Sequence, residues 1–358
     1  MIKTALIMAG GKGERFWPRS RQSLPKQFLS LTDDDKTMIQ LTIERIDSIV
    51  DIENVYVVTN RDYKGLVKEQ IPGIPSENII CEPVGRNTSP CIGLGAAHIK
   101  HKYPDEDVTM IVLPSDHLVK NNDIFTDTLN HACEIAESGP NLVTVGITPN
   151  YPETGYGYIK YNEQKPEGNS FAVDSFVEKP DLETAKKYLK DGNYLWNSGM
   201  FIWKLSTITE CYRKFLPDMY SSLSEIEKSI GTASEKECVN NIFPNMESIS
   251  IDYGVMEKSD SIYIIPGNFG WDDVGSWLAV SRINKTDSDN NIIRGNVVSL
   301  GVKNCIIEGS DKLIAAAGIE DLIVVDSGDA MLIIPKEKAC DIKELIAKIR
   351  NNNLEKYL

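Results

Sequence analysis

The sequence is poor in the residues that usually announce metal or nucleophile chemistry. It has 4 histidines in 358 residues. Two of them, His98 and His101, are spaced to share a helix face. Two imidazoles without a third ligand make a poor zinc site, and both read as surface residues. Seven cysteines stand at 81, 91, 133, 211, 238, 305 and 340 with no CxxC pair among them. An odd, scattered set fits reduced thiols in a cytoplasmic protein, not a disulfide framework. No apolar run reaches the length of a membrane span, and Met1-Ile2-Lys3 leads straight into a strand-like run. Neither a signal peptide nor a membrane anchor is expected. Excess positive charge is also lacking. The formal net charge is -14, which argues against general nucleic-acid binding.

What is present is the composition of a soluble globular protein, 41% apolar and 25% charged. The length allows a large core and two domains. In the first half, β-branched runs at Thr4–Met8, Val55–Thr59, Asn78–Cys81, Val108–Leu113 and Leu142–Ile147 alternate with helical segments. These are Lys36–Val50, Asp62–Gln70, Thr88–Lys102 and Asp123–Ser138, the last with Asp123 as its cap. The pattern predicts an α/β, Rossmann-like, mostly parallel sheet covered by helices, with ligands at the carboxyl ends of the strands. From Tyr151 to Trp203, three further strands read as an extension forming a pocket wall. Residues 205–245 are helix-like, and Ser261–Ile265 is a strand. The polar run Lys285–Asn291 marks a boundary, giving domains of 1–285 and 286–358. Beyond it, short strands at Ile292–Ser299, Cys305–Glu308, Leu313–Ala316, Leu322–Val325 and Ala330–Ile334 suggest a small β-domain, either turns of a β-helix or a barrel fragment. An amphipathic helix, Lys338–Asn351, follows.

One stretch concentrates cations in this acidic chain. Gly10–Phe28, GGKGERFWPRSRQSLPKQF, carries Lys12, Arg15, Arg19, Arg21 and Lys26 against the single acid Glu14. A glycine-rich turn after a buried strand lets backbone N–H groups approach phosphate oxygens, while the cations offset their charge. The spacing is not GxGxxG, which removes a dinucleotide-binding oxidoreductase, and no GK[ST] closes a Walker A loop. Arg15 and Lys26 are placed to grip different phosphates of one chain. Asp116, in Leu113–His117, and Asp273, in Trp271–Trp277, are candidate ligands for a hard cation, or else an N-cap and a turn residue. Asp272 competes with Asp273. Backbone groups near Leu6–Ala9 and the Glu82–Thr88 stretch are candidates for a base, although Asn87 and Thr88 also suit a helix start. Glu178 and Asn197 are a carboxylate and an amide suited to hydroxyl groups, with Gly157 and Gly199 allowing close approach, although Glu178-Lys179 also suits an exposed strand end before a proline. Asp252 and Glu257 rank lower.

The Gly10–Phe28 stretch resembles the signature of the bacterial mannose-1-phosphate guanylyltransferases, within the sugar-phosphate nucleotidyltransferases. Blocks at Glu82–Pro90, Leu113–His117, Gly155–Ile159, Phe176–Pro180, Trp196–Phe201, Ile251–Glu257 and Trp271–Trp277 follow in the expected order. Ser89 and Gly254 depart from it, neither at a charged role. The resemblance implies the nucleotidyltransferase fold with a β-helix-like C-terminal domain, in a short form without an isomerase domain. It implies Mg²⁺-dependent transfer of GMP from GTP to mannose 1-phosphate. It makes Arg15 and Lys26 catalytic and Asp116 and Asp273 the metal ligands. Ala9, Gly10, Gly11, Gly13, Glu82, Asn87, Thr88 and Ser115 would hold the nucleotide, and Gly157, Glu178, Lys179, Asn197 and Gly199 the sugar phosphate. A homodimer is expected from the apolar faces of the C-terminal domain. The alternatives are another sugar 1-phosphate (a heptose or glucose) or a catalytically silent nucleotide-binding regulatory subunit.

Overall fold

The computed structural model describes residues 1–164 and 168–358 with their side chains. The chain divides into two compact units that interleave in sequence. Unit 1 comprises Met1–Gly10, Ile43–Ser115 and Val119–Trp271, and unit 2 comprises Gly11–Thr42, Asp116–Leu118 and Asp272–Leu358.

Unit 1 is built on a nine-stranded sheet: β1 (Ile2–Ala9), β2 (Val55–Asn60), β3 (Ile79–Glu82), β4 (Val108–Pro114), β5 (Leu142–Ile147), β6 (Tyr158–Glu167), β7 (Ser170–Val177), β8 (Tyr194–Lys204) and β9 (Ile262–Pro266). Their spatial order is β3-β2-β1-β4-β8-β5-β9-β7-β6. The pairings among β1 to β4 are parallel, as the alternation predicts. Past β4 the sheet becomes mixed, because β8 lies antiparallel to both β4 and β5. The Tyr151–Trp203 segment is therefore part of the main sheet and not only a pocket wall. In β8, Leu195, Trp196, Met200, Phe201, Ile202 and Trp203 are all buried, so both of its faces are apolar, which a central covered strand requires.

Among the described residues, unit 1 holds eight α-helices: α2 (Lys64–Gln70), α3 (Thr88–Lys102), α4 (Asn122–Ser138), α5 (Leu182–Asp191), α6 (Leu205–Phe215), α7 (Pro217–Ser229), α8 (Glu235–Ile242) and α9 (Ile251–Gly254); α1 (Met38–Ile46) runs across the division. Leu6, Val58, Val112 and Trp203 of the sheet share a core with Leu94, Ile208 and Leu223 of the helices. Each such side chain contributes about 1.5–3 kcal/mol by leaving water. The α4 cap is Asn121, whose side chain accepts from Ile124 N–H at 3.1 Å. Asp123, expected as the cap, instead sits in the first turn, where its charge complements the helix dipole. His98 on α3 also departs from the surface reading. Its side chain is only 12% exposed, and burial pushes its pKa down to about 4. No helix among the described residues is long and apolar enough to cross a membrane.

Unit 2 joins the glycine-loop segment to the C-terminal strands through one core. Phe16, Trp17, Leu29, Leu31 and Met38 pack with Trp277 of α10 (Trp277–Ile283) and with Ile306, Ile323, Leu332 and Ile346. Trp277 Nε1 donates to the Trp17 carbonyl at 3.2 Å, and Trp17 Nε1 donates to the Tyr357 carbonyl at 2.6 Å. The strands are β10 (Ile292–Arg294), β11 (Val297–Leu300), β12 (Ile306–Glu308), β13 (Ile314–Ala317), β14 (Leu322–Asp326) and β15 (Met331–Pro335). The expected single strand Ile292–Ser299 is two, because Gly295 at φ 81 turns the chain between them. β10, β12 and β14 then stack in parallel as one sheet, and β11 stacks on β13 as another. This repeated coil is β-helical and not a barrel fragment. α11 (Ile342–Asn351) closes the unit, starting later than Lys338 because Lys336–Asp341 winds as a 3₁₀ turn.

Candidate active site

The chemistry predicted for the glycine loop gathers in unit 2. Gly13 takes φ 61, and a Cβ there would lie 2.4 Å from Lys26 Cβ, so the turn and Lys26 are pressed together in a way only glycine permits. Lys26 follows on a short 3₁₀ turn, and its side chain is 6% exposed. Its ammonium donates to Asp116 Oδ2 at 2.8 Å and to the Asp273 carbonyl at 2.7 Å. The register that brings Asp116 and Asp273 to one lysine is set by a two-residue bridge. Leu118 N–H donates to the Asp272 carbonyl at 2.8 Å, and Asp272 N–H returns to the Leu118 carbonyl at 3.1 Å. Burial alone would raise the pKa of Asp116. The Lys26 charge and hydrogen bond, with His117, outweigh it and hold the carboxyl below the usual aspartate value.

The turn that presents Asp273 is strained. Val274, a β-branched and fully buried residue, sits at φ 47. Asp272 is committed to this turn. It accepts from Val274 N–H at 2.8 Å and from Arg282 at 2.8 and 3.0 Å. Asp273 Oδ1 likewise accepts from Gly275 N–H at 3.2 Å, and it is the pairing of Asp272 with the Arg282 guanidinium that makes Asp273 the better second candidate for a metal ligand. Among the described residues no cluster of three or more His, Cys, Asp or Glu could cage a metal. Two carboxylates offering only oxygen, beside cations suited to phosphate, fit Mg²⁺, which keeps waters and shares phosphate oxygens.

The remaining loop cations divide into two groups. Arg15 is exposed, and its guanidinium reaches the Gly275 carbonyl at 3.4 Å. Lys12 is exposed as well. Arg19 and Arg21, which add to the positive charge of the same stretch, are engaged elsewhere. Arg19 pairs with buried Glu308 at 3.1 Å, and Arg21 pairs with Asp329 at 2.6 Å and bonds the Tyr357 carbonyl. They hold the loop to the β-helix. Gln27, which no spacing rule singled out, is buried and donates from Nε2 to the Gly11 carbonyl at 3.1 Å.

In unit 1 the candidate residues form two sets. At the end of β1, Thr59 Oγ1 donates to the Ala9 carbonyl at 2.8 Å, and Ser115 N–H donates to the Met8 carbonyl at 3.2 Å. A Cβ on Gly10 would lie 3.2 Å from Glu82 Oε2. Glu82 is 4% exposed, its Oε1 is buried without a partner, and burial pushes its pKa up to about 7. A buried carboxylate with an unused acceptor is what a donor-bearing ligand edge would satisfy. Asn87, at φ 71, caps α3 through Thr88 N–H, and Thr88 Oγ1 accepts from Ile251 N–H at 2.8 Å. The capping reading of Asn87 is thus observed.

Thr88 also leads to the second set, because Ile251 opens α9 and Asp252 follows it. Asn197 Nδ2 donates to Asp252 Oδ1 at 2.8 Å, and Asn197 Oδ1 accepts from Gly199 N–H at 3.1 Å. Both ends of the Asn197 amide are fixed. Glu178 Oε1 accepts from Lys179 at 2.7 Å, and Lys179 takes φ 47. Glu178 Oε2 is buried without a partner, and a Cβ on Gly157 would lie 2.4 Å from it. The sequence ranked Asp252 low, yet it is central here. Burial, then the neighbouring Glu178 charge, raise its pKa to about 6. Tyr151 and Tyr156 pack edge-on against Trp196, Tyr156 at 5.2 Å, and Tyr156 also packs edge-on against Trp271 at 5.4 Å.

Residues 4–290 match the model of the family described as nucleotidyl transferase, and residues 295–349 match a MannoseP isomerase/GMP-like beta-helix domain. A mannose-1-phosphate guanylyltransferase of Salmonella montevideo is 39% identical over 99% of this chain and 75% of its own length. Mannose-1-phosphate guanylyltransferase 2 of Escherichia coli O157:H7 is 37% identical, also over 99% of this chain and 75% of its own. A crystal structure described as mannose-1-phosphate geranyltransferase from Thermus thermophilus superposes with a TM-score of 0.86 at 34% identity, covering 98% of this chain and 100% of that one.

Proposed function

We propose, from the premise that this chain belongs to the mannose-1-phosphate guanylyltransferase family of nucleotidyl transferases, that it transfers GMP from GTP to mannose 1-phosphate. The products are GDP-mannose and pyrophosphate. A phosphate oxygen of the sugar phosphate attacks the α-phosphorus of GTP in line. The new P–O bond forms as the bond from the α-phosphorus to the bridging oxygen breaks, and pyrophosphate leaves with that electron pair. The nucleophile is already an anion near neutral pH, so no general base is needed. Catalysis is then positioning and charge neutralisation.

The observation that carries this reading is the buried Lys26 ammonium held between Asp116 and the Asp273 carbonyl. Asp116 and the Asp273 carbonyl keep the Lys26 ammonium aimed, so its charge is in place as negative charge grows on the α-phosphate. Arg15 and the loop amides hold the β- and γ-phosphates. Asp116 and Asp273 would hold Mg²⁺, which when bound supplies further neutralisation of phosphate charge. Glu82 offers acceptors to the guanine N1–H and exocyclic amine. Asn197, fixed at both ends, and Glu178, with its unused Oε2, face the hydroxyls of the sugar, and Lys179 its phosphate.

The test is pyrophosphate release from GTP and Mg²⁺ with a panel of sugar 1-phosphates. Release with mannose 1-phosphate is expected. Release only with a heptose or glucose 1-phosphate would replace the sugar, and none with any sugar would overturn the reading.

A further inference from the structure

A second cavity, of about 460 Å³, lies within unit 1 at the outer edge of β3, between that strand, α3 and the start of α8. β3 is the terminal strand of the sheet, so its outward backbone groups border the cavity unpaired by any further strand. Three cations line it: Arg61, Lys64 and Lys236. Arg61 is held by Asn240, whereas Lys64 and Lys236 have no carboxylate partner among the described residues. The lining sets these three cations against two carboxylates, Glu77 and Glu235, so it keeps a small positive excess in a chain of net charge -14, which favours an anion. The wall behind them is apolar at Ile79, Ile80 and Val239, and enclosed His98 adds a ring nitrogen 4.0 Å from Glu235. With its pKa pushed down by burial, His98 is neutral near pH 7, so this is no ion pair and the ring is left as a hydrogen-bonding group.

We propose that this cavity is a regulatory site for a small phosphorylated molecule with an apolar body, whose binding tunes nucleotide affinity through β3. Arg61, Lys64 and Lys236 take the phosphate, and the apolar wall at Ile79, Ile80 and Val239 takes the body. The route to the nucleotide is short. Cys81 lines the cavity and is followed on the same strand by Glu82, while α3, which carries Leu94 and His98, starts at Thr88. This coupling rests on the reading of Glu82 as the base contact. The site itself does not.

The full chain is titrated calorimetrically with inorganic phosphate and with phenyl phosphate, as wild type, as the double variant Lys64→Gln/Lys236→Gln, and as Lys26→Ala. Phenyl phosphate is expected to bind wild type more tightly than phosphate does. The double variant should weaken phenyl phosphate by at least about tenfold, and Lys26→Ala should leave this binding in place. Binding unchanged in the double variant, or abolished by Lys26→Ala, would overturn the site. These arms need no turnover, so they decide the question even if no sugar is a substrate. In a kinetic arm, phenyl phosphate should shift the KM for GTP in wild type and not in the double variant, whose turnover without probe matches wild type. A KM that does not move in wild type would refute the coupling through β3.

Discussion

The Lys26 ammonium lies 2.8 Å from Asp116 Oδ2, a pair 90 positions apart in sequence. Its second acceptor, the Asp273 carbonyl, belongs to the turn that presents the other candidate metal ligand. One buried cation thus organises both acids. A charge so placed is pre-oriented for developing negative charge and needs no rearrangement when it forms.

Arg19 and Arg21 separate structural from chemical cations in the same loop. Because Arg19 pairs with Glu308, a side chain only 2% exposed, Arg19→Ala should lower stability by about 1–3 kcal/mol. The turnover per folded molecule should be unchanged. Denaturant unfolding and active-site-normalised kinetics read the two effects separately. A large fall in kcat with normal stability would place Arg19 in the phosphate site.

Much of this was legible in the sequence. Alternating runs located β1 to β5 because strands buried on both faces must be continuously apolar, as Val108–Leu113 is. The glycine loop, Lys26, Asp116 and Asp273 stand out in the sequence, and the structure brings the Lys26 ammonium to Asp116 and to the Asp273 carbonyl, but residue chemistry alone leaves each acid open between a metal ligand and an N-cap or turn residue. What composition hides is the partner of each charge. The acids that engage Arg19 and Arg21 lie about 300 residues downstream, and only the β-helix coil brings them near. Asp252 was undervalued for the same reason, because its importance comes from Asn197 and Glu178, which reach it through the sheet and not through local spacing.

On the proposed function, Glu82 should make GTP capture pH-dependent. With its pKa pushed up to about 7 by burial, the free protein loses the double acceptor as pH falls below that value. The kcat/KM for GTP should fall toward about tenfold per unit well below pH 7, and kcat at saturating GTP should fall less. Glu82→Gln keeps one acceptor and should flatten the profile, with kcat/KM reduced by about tenfold or more. An unchanged profile in this variant would remove Glu82 from the base site.

Asp252 predicts a stability effect with a definite sign. Its folded pKa of about 6 exceeds the ordinary 3.8, so the folded protein keeps a proton that the unfolded chain releases between these values. Its contribution is therefore fully present below about pH 4 and is lost as pH rises through about 6. Asp252→Asn, which can still accept from Asn197, should be stabilised relative to wild type by roughly 1–3 kcal/mol above pH 7 and not at pH 4. Thermal melts across this range check it. A difference that is the same at both ends would contradict the shift. The sugar-phosphate KM should rise in the same variant, because the Asn197 amide loses its charged anchor.

The most direct test of the account is the steady-state rate of Lys26→Ala, measured as pyrophosphate release from GTP and mannose 1-phosphate, with circular dichroism showing the fold retained. The account predicts kcat reduced by about 10²–10³, the typical cost of losing one preorganised contact to transition-state charge. A folded Lys26→Ala variant turning over at near wild-type rate would contradict it.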